Sequence, residues 1–211
     1  MVVDAKICGL STPETLDAAV QGGARWIGFV TYPRSPRHIS TDLLRSLGAR
    51  VPKSVGRVGL FVDPDDALLD ERLATGAIDM LQLQGSETPA RVVDLKTRTG
   101  KAVMKVINVA TREDAERGIA AYASVADRLM FEPAGGVLPG GNAKVFDWTI
   151  LRGLAVPLPW FLAGGLTPDN VAEAVRVTGA PTVDVSSGVE SSRGVKSIEL
   201  IRAFLDRVKA L

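Results

Sequence analysis

Apolar residues in this chain gather into short, β-branched runs, separated by longer stretches in which apolar positions recur every three or four residues. The runs are Val2–Ile7, Trp26–Val30, Arg57–Val62, Met80–Leu83, Ala102–Val106, Arg128–Phe131, Trp160–Ala163 and Thr182–Val185. Most are apolar on both alternating sets of positions, as strands are when both faces of a parallel sheet are covered. Between them lie helix starts. Ser11-Thr12-Pro13-Glu14 offers a hydroxyl cap, a proline for the first turn and an acid where the helix dipole favours one. Thr167-Pro168-Asp169-Asn170 repeats the arrangement, Asp63-Pro64-Asp65-Asp66 is a third version, and Thr111-Arg112-Glu113-Asp114 opens a helix without proline. Leu16, Ala19 and Val20, and later Ile198, Ile201, Phe204, Leu205 and Val208, keep helical spacing. In the sixth interval only Asp147–Leu154 is open to a helix.

Alternating strands and helices imply right-handed crossovers and a parallel sheet. Eight such units in 211 residues, with no Gly-x-Gly-x-x-Gly at a helix start, predict an α/β fold: one (β/α)8 TIM barrel over residues 1–211 rather than a doubly wound sheet. No linker or shift in composition divides the chain.

Composition narrows the partners. A formal charge of +1 supplies no field for nucleic acid or an anionic membrane. One cysteine, Cys8, excludes an internal disulfide and suits a reducing cytoplasm; with one histidine, His38, it cannot build the usual Cys/His zinc site. No leader peptide is expected, and no apolar run approaches bilayer length.

In such a barrel the chemistry sits where strands end. In order, the closing residues are Cys8, Tyr32 with Arg34 and Arg37, Asp63, Gln84, Asn108, Glu132, Gly164-Gly165, and Asp184 with Ser186-Ser187-Gly188. These are expected to converge on one cavity. The turns after the seventh and eighth strands, rich in glycine and serine ahead of helices, present unobstructed N–H groups, the usual makings of a phosphate site. Each residue also has a plainer reading. Cys8 can be packing, Arg34, Arg37 and His38 a solvated basic loop, Asp184 a buried structural acid and Glu132 a rim charge. The pattern alone reaches a phosphate-binding barrel enzyme.

Longer segments carry more. "KICGL" at 6–10, "GARWIGFVTYPRSPRHIS" at 23–40, "GRVGLFVDP" at 56–64, "LQLQG" at 81–85, "LPGGNAKVFDW" at 138–148, "LAGGLTPDNVAEA" at 162–174 and "VDVSSGVE" at 183–190 together resemble the phosphoribosylanthranilate isomerases of tryptophan biosynthesis, in order from Lys6 onward. The resemblance implies a barrel enzyme without metal or cofactor, a monomer or weak homodimer, that converts N-(5-phosphoribosyl)anthranilate to 1-(2-carboxyphenylamino)-1-deoxyribulose 5-phosphate by an Amadori rearrangement. It implies Cys8 as general base and the acid at the end of strand six, here Glu132, as general acid. Arg37 would engage the anthranilate carboxylate, and Asp184 the substrate amine. Gln84 would contact substrate, while Gly164, Gly165, Ser186, Ser187 and Gly188 would hold the phosphate. Gly9 would leave room for substrate beside Cys8.

Three positions depart from the family pattern: Glu132 replaces its aspartate, Gln84 its histidine and Ala163 the serine of "LSGG". They keep open a second reading, a diverged paralogue that acts on, or only binds, another amino-sugar phosphate. Retention of Cys8, Arg37 and Asp184 weighs against mere binding, which needs no base.

Overall fold

A computed structural model of the chain describes residues 2–134 and 147–211. Eight strands close into a parallel barrel in chain order: β1 (Asp4–Cys8), β2 (Trp26–Val30), β3 (Gly56–Phe61), β4 (Met80–Leu83), β5 (Ala102–Val109), β6 (Arg128–Pro133), β7 (Trp160–Leu162) and β8 (Thr182–Val185), with β8 pairing back onto β1. The predicted (β/α)8 barrel is therefore the observed fold. Helices α1 (Pro13–Gln21), α2 (Thr41–Arg50), α3 (Asp66–Leu73), α4 (Pro89–Thr99), α5 (Arg112–Tyr122), α6 (Val171–Thr178) and α7 (Ile198–Lys209) surround it.

Strand alternation sorts the core. Outward residues such as Ile7, Ile27, Phe29, Leu81, Val103 and Leu129 pack against Leu16, Leu44, Val92 and Phe204 of the helices. Inward residues Val58, Met80, Met104, Met130 and Phe161 fill the barrel, and Cys8, Val30 and Leu60 form a layer towards its C-terminal mouth. Strand ends moved by a residue or two where pairing, not hydropathy, sets them. Val2 is 90% exposed and β1 starts at Asp4, opposite the first residue of β8. β5 continues past Val106 because it stays paired with β6 as far as Pro133.

Several caps are as expected. Thr12 accepts from the Thr15 amide, and Thr111 forms a reciprocal box with Asp114; at α3 the cap is Asp65, accepting from Leu68, so Asp63 and Pro64 stand before the helix rather than opening it. The Thr167 cap is not realised. The side chain of Asn170 instead accepts from the Thr167 amide (2.8 Å) and donates to the Gly165 carbonyl (2.9 Å), bracing the turn, and α6 starts only at Val171. The sixth interval holds a 3₁₀ turn, Trp148–Leu151, capped by Asp147, and not a helix over Asp147–Leu154. The chain leaves helical geometry at Arg152, which is extended, and Gly153, at φ +64°, turns it away. Most of the "LPGGNAKVFDW" segment lies outside the described residues. An unpredicted antiparallel hairpin, β9 (Glu190–Ser192) with β10 (Val195–Lys196), precedes α7.

Candidate active site

The strand ends form a cavity, open at its mouth, whose lining includes Cys8, Tyr32, Arg37, Gln84, Glu132, Asp184 and Ser186. Arg34, Asp63, Asn108, Gly164, Gly165, Ser187 and Gly188 do not line it. Asp63 has turned aside, at φ +44°, so that its carboxylate accepts from the Ser86 amide (2.8 Å) and hydroxyl (3.0 Å). A Cβ on Gly85 would lie 2.6 Å from that carboxylate, so the glycine of "LQLQG" makes room for a loop lock.

The floor is built by β1, β2 and β8. Lys6 and Cys8 are two residues apart, so both point into the barrel. Lys6 is wholly buried and donates to Asp184 Oδ1 at 2.8 Å, directly across the β1–β8 pairing. Burial works against the ammonium, but the Asp184 carboxylate and then Cys8 outweigh it and hold the Lys6 pKa above its ordinary value. Burial pushes the Cys8 thiol up; Lys6 opposes this, Asp184 adds to it, and Lys196 offsets a little more.

The rim is an ion-pair cluster that the sequence did not reveal. Arg37 donates from Nε (2.6 Å) and Nη2 (2.8 Å) to both oxygens of Glu190, and Lys196 donates to the same carboxylate (2.8 Å) and to the Ser186 carbonyl (2.8 Å) and hydroxyl (3.1 Å). Burial alone would raise the Glu190 carboxyl; Arg37 and Lys196 overcome it and hold it down to about 2. Arg37 is thus no solvated loop residue, since it is buried while Arg34 is exposed. The role expected for Gly9 also changes. At φ +81°, a Cβ there would lie 2.9 Å from Arg37 Cδ, so the clearance admits Arg37.

The opposite wall is a chain of amides. Gln82 Nε2 donates to Gln84 Oε1 (2.8 Å), and Gln84 Nε2 donates to Glu132 Oε2. Glu132 is buried and lines the same cavity as Cys8, three strands away around the barrel. Gln84, expected to meet substrate, here also fixes the acid. Gln82 was missed, although two glutamines at alternate positions of a buried strand were a visible signal.

The turns assigned to phosphate are adjacent. Gly164 and Gly165 both have positive φ, and a Cβ on Gly164 would strike Pro133 at the end of β6. Ser187–Val189 forms a 3₁₀ turn whose Gly188 lies so close to the Leu166 carbonyl that no side chain fits. Ser186 lines the cavity and donates its hydroxyl to the Cys8 carbonyl (3.2 Å). Among the described residues the Gly164 and Gly165 amides make no backbone hydrogen bond.

A closed parallel barrel with a thiol and a carboxyl on one cavity at its C-terminal mouth defines a (β/α)8 enzyme equipped for proton transfer. Comparison with known proteins agrees. The family model for N-(5'-phosphoribosyl)anthranilate (PRA) isomerase matches residues 5–207. The N-(5'-phosphoribosyl)anthranilate isomerase of Paracoccus denitrificans is 52% identical, over 100% of this chain and 99% of its own. Phosphoribosyl anthranilate isomerase from Thermus thermophilus superposes with a TM-score of 0.87 at 28% identity, over 99% of both chains. A phosphoribosyl anthranilate isomerase solved with reduced 1-(o-carboxyphenylamino)-1-deoxyribulose 5-phosphate gives 0.83 at 30% identity, over 99% of this chain and 100% of that one. The chain belongs to the phosphoribosylanthranilate isomerases, aldose–ketose isomerases of tryptophan biosynthesis.

Proposed function

We propose that this chain carries out the Amadori rearrangement of N-(5-phosphoribosyl)anthranilate with Cys8 as base and Glu132 as acid. The observation that carries the assignment is the placement of both groups on one cavity. Glu132 gives its proton to the furanose ring oxygen, the C1–O bond breaks, and the nitrogen lone pair forms the C1=N iminium. Asp184 faces that cation. Cys8 Sγ, as thiolate, takes the C2 proton; the C2–H electrons form C1=C2 and neutralise the nitrogen. The proton held by Cys8 passes to C1 and the enol proton passes to the Glu132 carboxylate, which gives the ketone and restores both the thiolate and the acid.

Arg37 meets the anthranilate carboxylate with the donors it does not spend on Glu190; among the described residues no group accepts from its Nη1. Gln84 holds Glu132 in place beside the sugar. The phosphate sits on the amides of Gly164, Gly165, Ser187 and Gly188 and the hydroxyl of Ser186, where N–H groups at a turn favour an anion. The substrate is a diffusible phosphosugar. The enzyme works in the cytoplasm, a location its single free thiol suits, as a monomer or weak homodimer. No described helix is long and apolar enough to cross a membrane.

The test is genetic. The chain should restore growth without tryptophan to an auxotroph lacking this isomerase, and the Cys8→Ser chain, expressed to the same level, should not. Equal rescue by both would remove Cys8 from the mechanism, and rescue by neither would favour the paralogue reading.

A further inference from the structure

The steps above leave unused the most deeply buried charge in the barrel, the ammonium of Lys6. We infer that Lys6 is the counter-cation of the Cys8 thiolate, a positioning residue that acts on the reaction through the sulfur. The inference rests on the reading of Cys8 as base.

Three observations carry it. First, the two side chains share the inward face of β1, and Lys6 is 0% exposed, so its charge works in a medium where water cannot screen it. Second, Gly28 is the residue paired with Cys8 on β2, and a Cβ there would lie 2.8 Å from Cys8 Sγ and 2.9 Å from Lys6 Nζ. Sulfur and ammonium border the same empty spot, which a side chain at position 28 would occupy. The charge of the ammonium lowers the thiol's pKa, against the burial that raises it. Third, the other charges facing Cys8 are committed elsewhere or of the wrong sign. Asp184 on β8 is an anion. Lys196 on β10 spends its donors on Ser186 and Glu190, and Arg37, from the β2–α2 loop, is held by Glu190. Glu132 on β6 is across the cavity. Lys6, with one hydrogen bond to Asp184, is the cation left for the sulfur.

Lys6 itself gives up no proton. Its charge raises the fraction of Cys8 present as thiolate, against the burial and the Asp184 carboxylate that favour the thiol. The bland alternative is that Lys6 only neutralises Asp184.

Cys8 is the only cysteine, so iodoacetamide alkylation measured across pH reports its ionisation alone. The comparison that separates the two roles is Asp184→Asn against Lys6→Met/Asp184→Asn, because neither leaves an orphaned buried carboxylate at position 184. A cation removed from contact range should move the midpoint in the double variant upward by about one pH unit or more relative to the single variant. Coincident midpoints would overturn the inference, since a partner for Asp184 alone has nothing to do once Asp184 is uncharged. If the double variant fails to fold, Lys6→Gln in the native chain keeps a donor for Asp184 without the charge. Its midpoint should rise by a similar amount and its kcat fall about tenfold or more at neutral pH, with KM within about threefold. An unmoved midpoint there overturns the inference equally. Failure of the underlying reading looks different: Cys8→Ser would retain turnover while the Lys6 variants still shifted the sulfur.

Discussion

At the scale of single residues, the site is a set of side chains matched to one another. Glu132 is one methylene longer than the aspartate of the family pattern, and Gln84 stands where that pattern has histidine. The hydrogen bond between them ties the two departures into one change. An acid positioned by a partner does not tolerate displacement by an ångström, which can cost about a hundredfold. Glu132→Asp should therefore lower kcat, although it restores the family's residue, and adding Gln84→His should recover much of the loss. The pair should be strongly non-additive in steady-state kinetics, as residues in contact are. Glu132→Gln, which keeps the shape but removes the proton donor, should lower kcat by about 10²–10⁴. Full activity in Glu132→Gln would hand the acid's role to another group. The sequence made Cys8 and Glu132 legible because each closes an apolar run. It left Lys6 unread because a lysine near a chain start looks like a solvated charge until strand alternation is applied to it.

At the scale of elements, the mouth of the barrel is shaped by a joint between the β2–α2 loop and the β9–β10 hairpin. Glu190 holds two buried cations, Arg37 and Lys196, and Gly194, at φ +87°, packs its backbone against Pro36 while its amide donates to Glu190 (3.0 Å). Removing only the anion strands both cations. Glu190→Gln should thus destabilise the chain by about 3–5 kcal/mol in urea unfolding, and a loss under about 1 kcal/mol would show that the cluster is solvated and weak. The pH dependence has a definite sign. A carboxyl held low in the folded state binds its proton less readily there than in the unfolded chain. The stabilisation by Glu190 is therefore complete above the ordinary carboxylate value of 4.5 and is lost as pH falls towards about 2. Urea midpoints of the native chain should drop across that window more steeply than those of Glu190→Gln; parallel curves would contradict this. None of this joint was legible in "VDVSSGVESSRGVKS". Two- and three-residue strands leave no period to read, and the partner of Glu190 lies 153 positions away.

At the scale of the whole molecule, the barrel was legible because every strand is covered on both faces, and a doubly buried strand leaves a run that hydropathy alone detects. The interval between β6 and β7 was not, because a 3₁₀ turn of four residues carries too little amphipathic pattern to be told from a short helix. The closed sheet delivers to one cavity the residues that a list of strand ends could only place near each other. It also separates from them Asp63, which follows the end of β3 but faces a neighbouring loop. The central claim is that these groups turn over phosphoribosylanthranilate by proton transfer at Cys8. The most direct measurement is the loss of phosphoribosylanthranilate fluorescence on adding purified protein, native and Cys8→Ser, with the melting temperature of each recorded alongside. The account predicts rapid decay with the native chain and a rate lower by about 10²–10⁴ with Cys8→Ser, at closely similar melting temperatures. A Cys8→Ser protein that retains most of the native kcat, or a native protein that leaves the fluorescence unchanged, would contradict it.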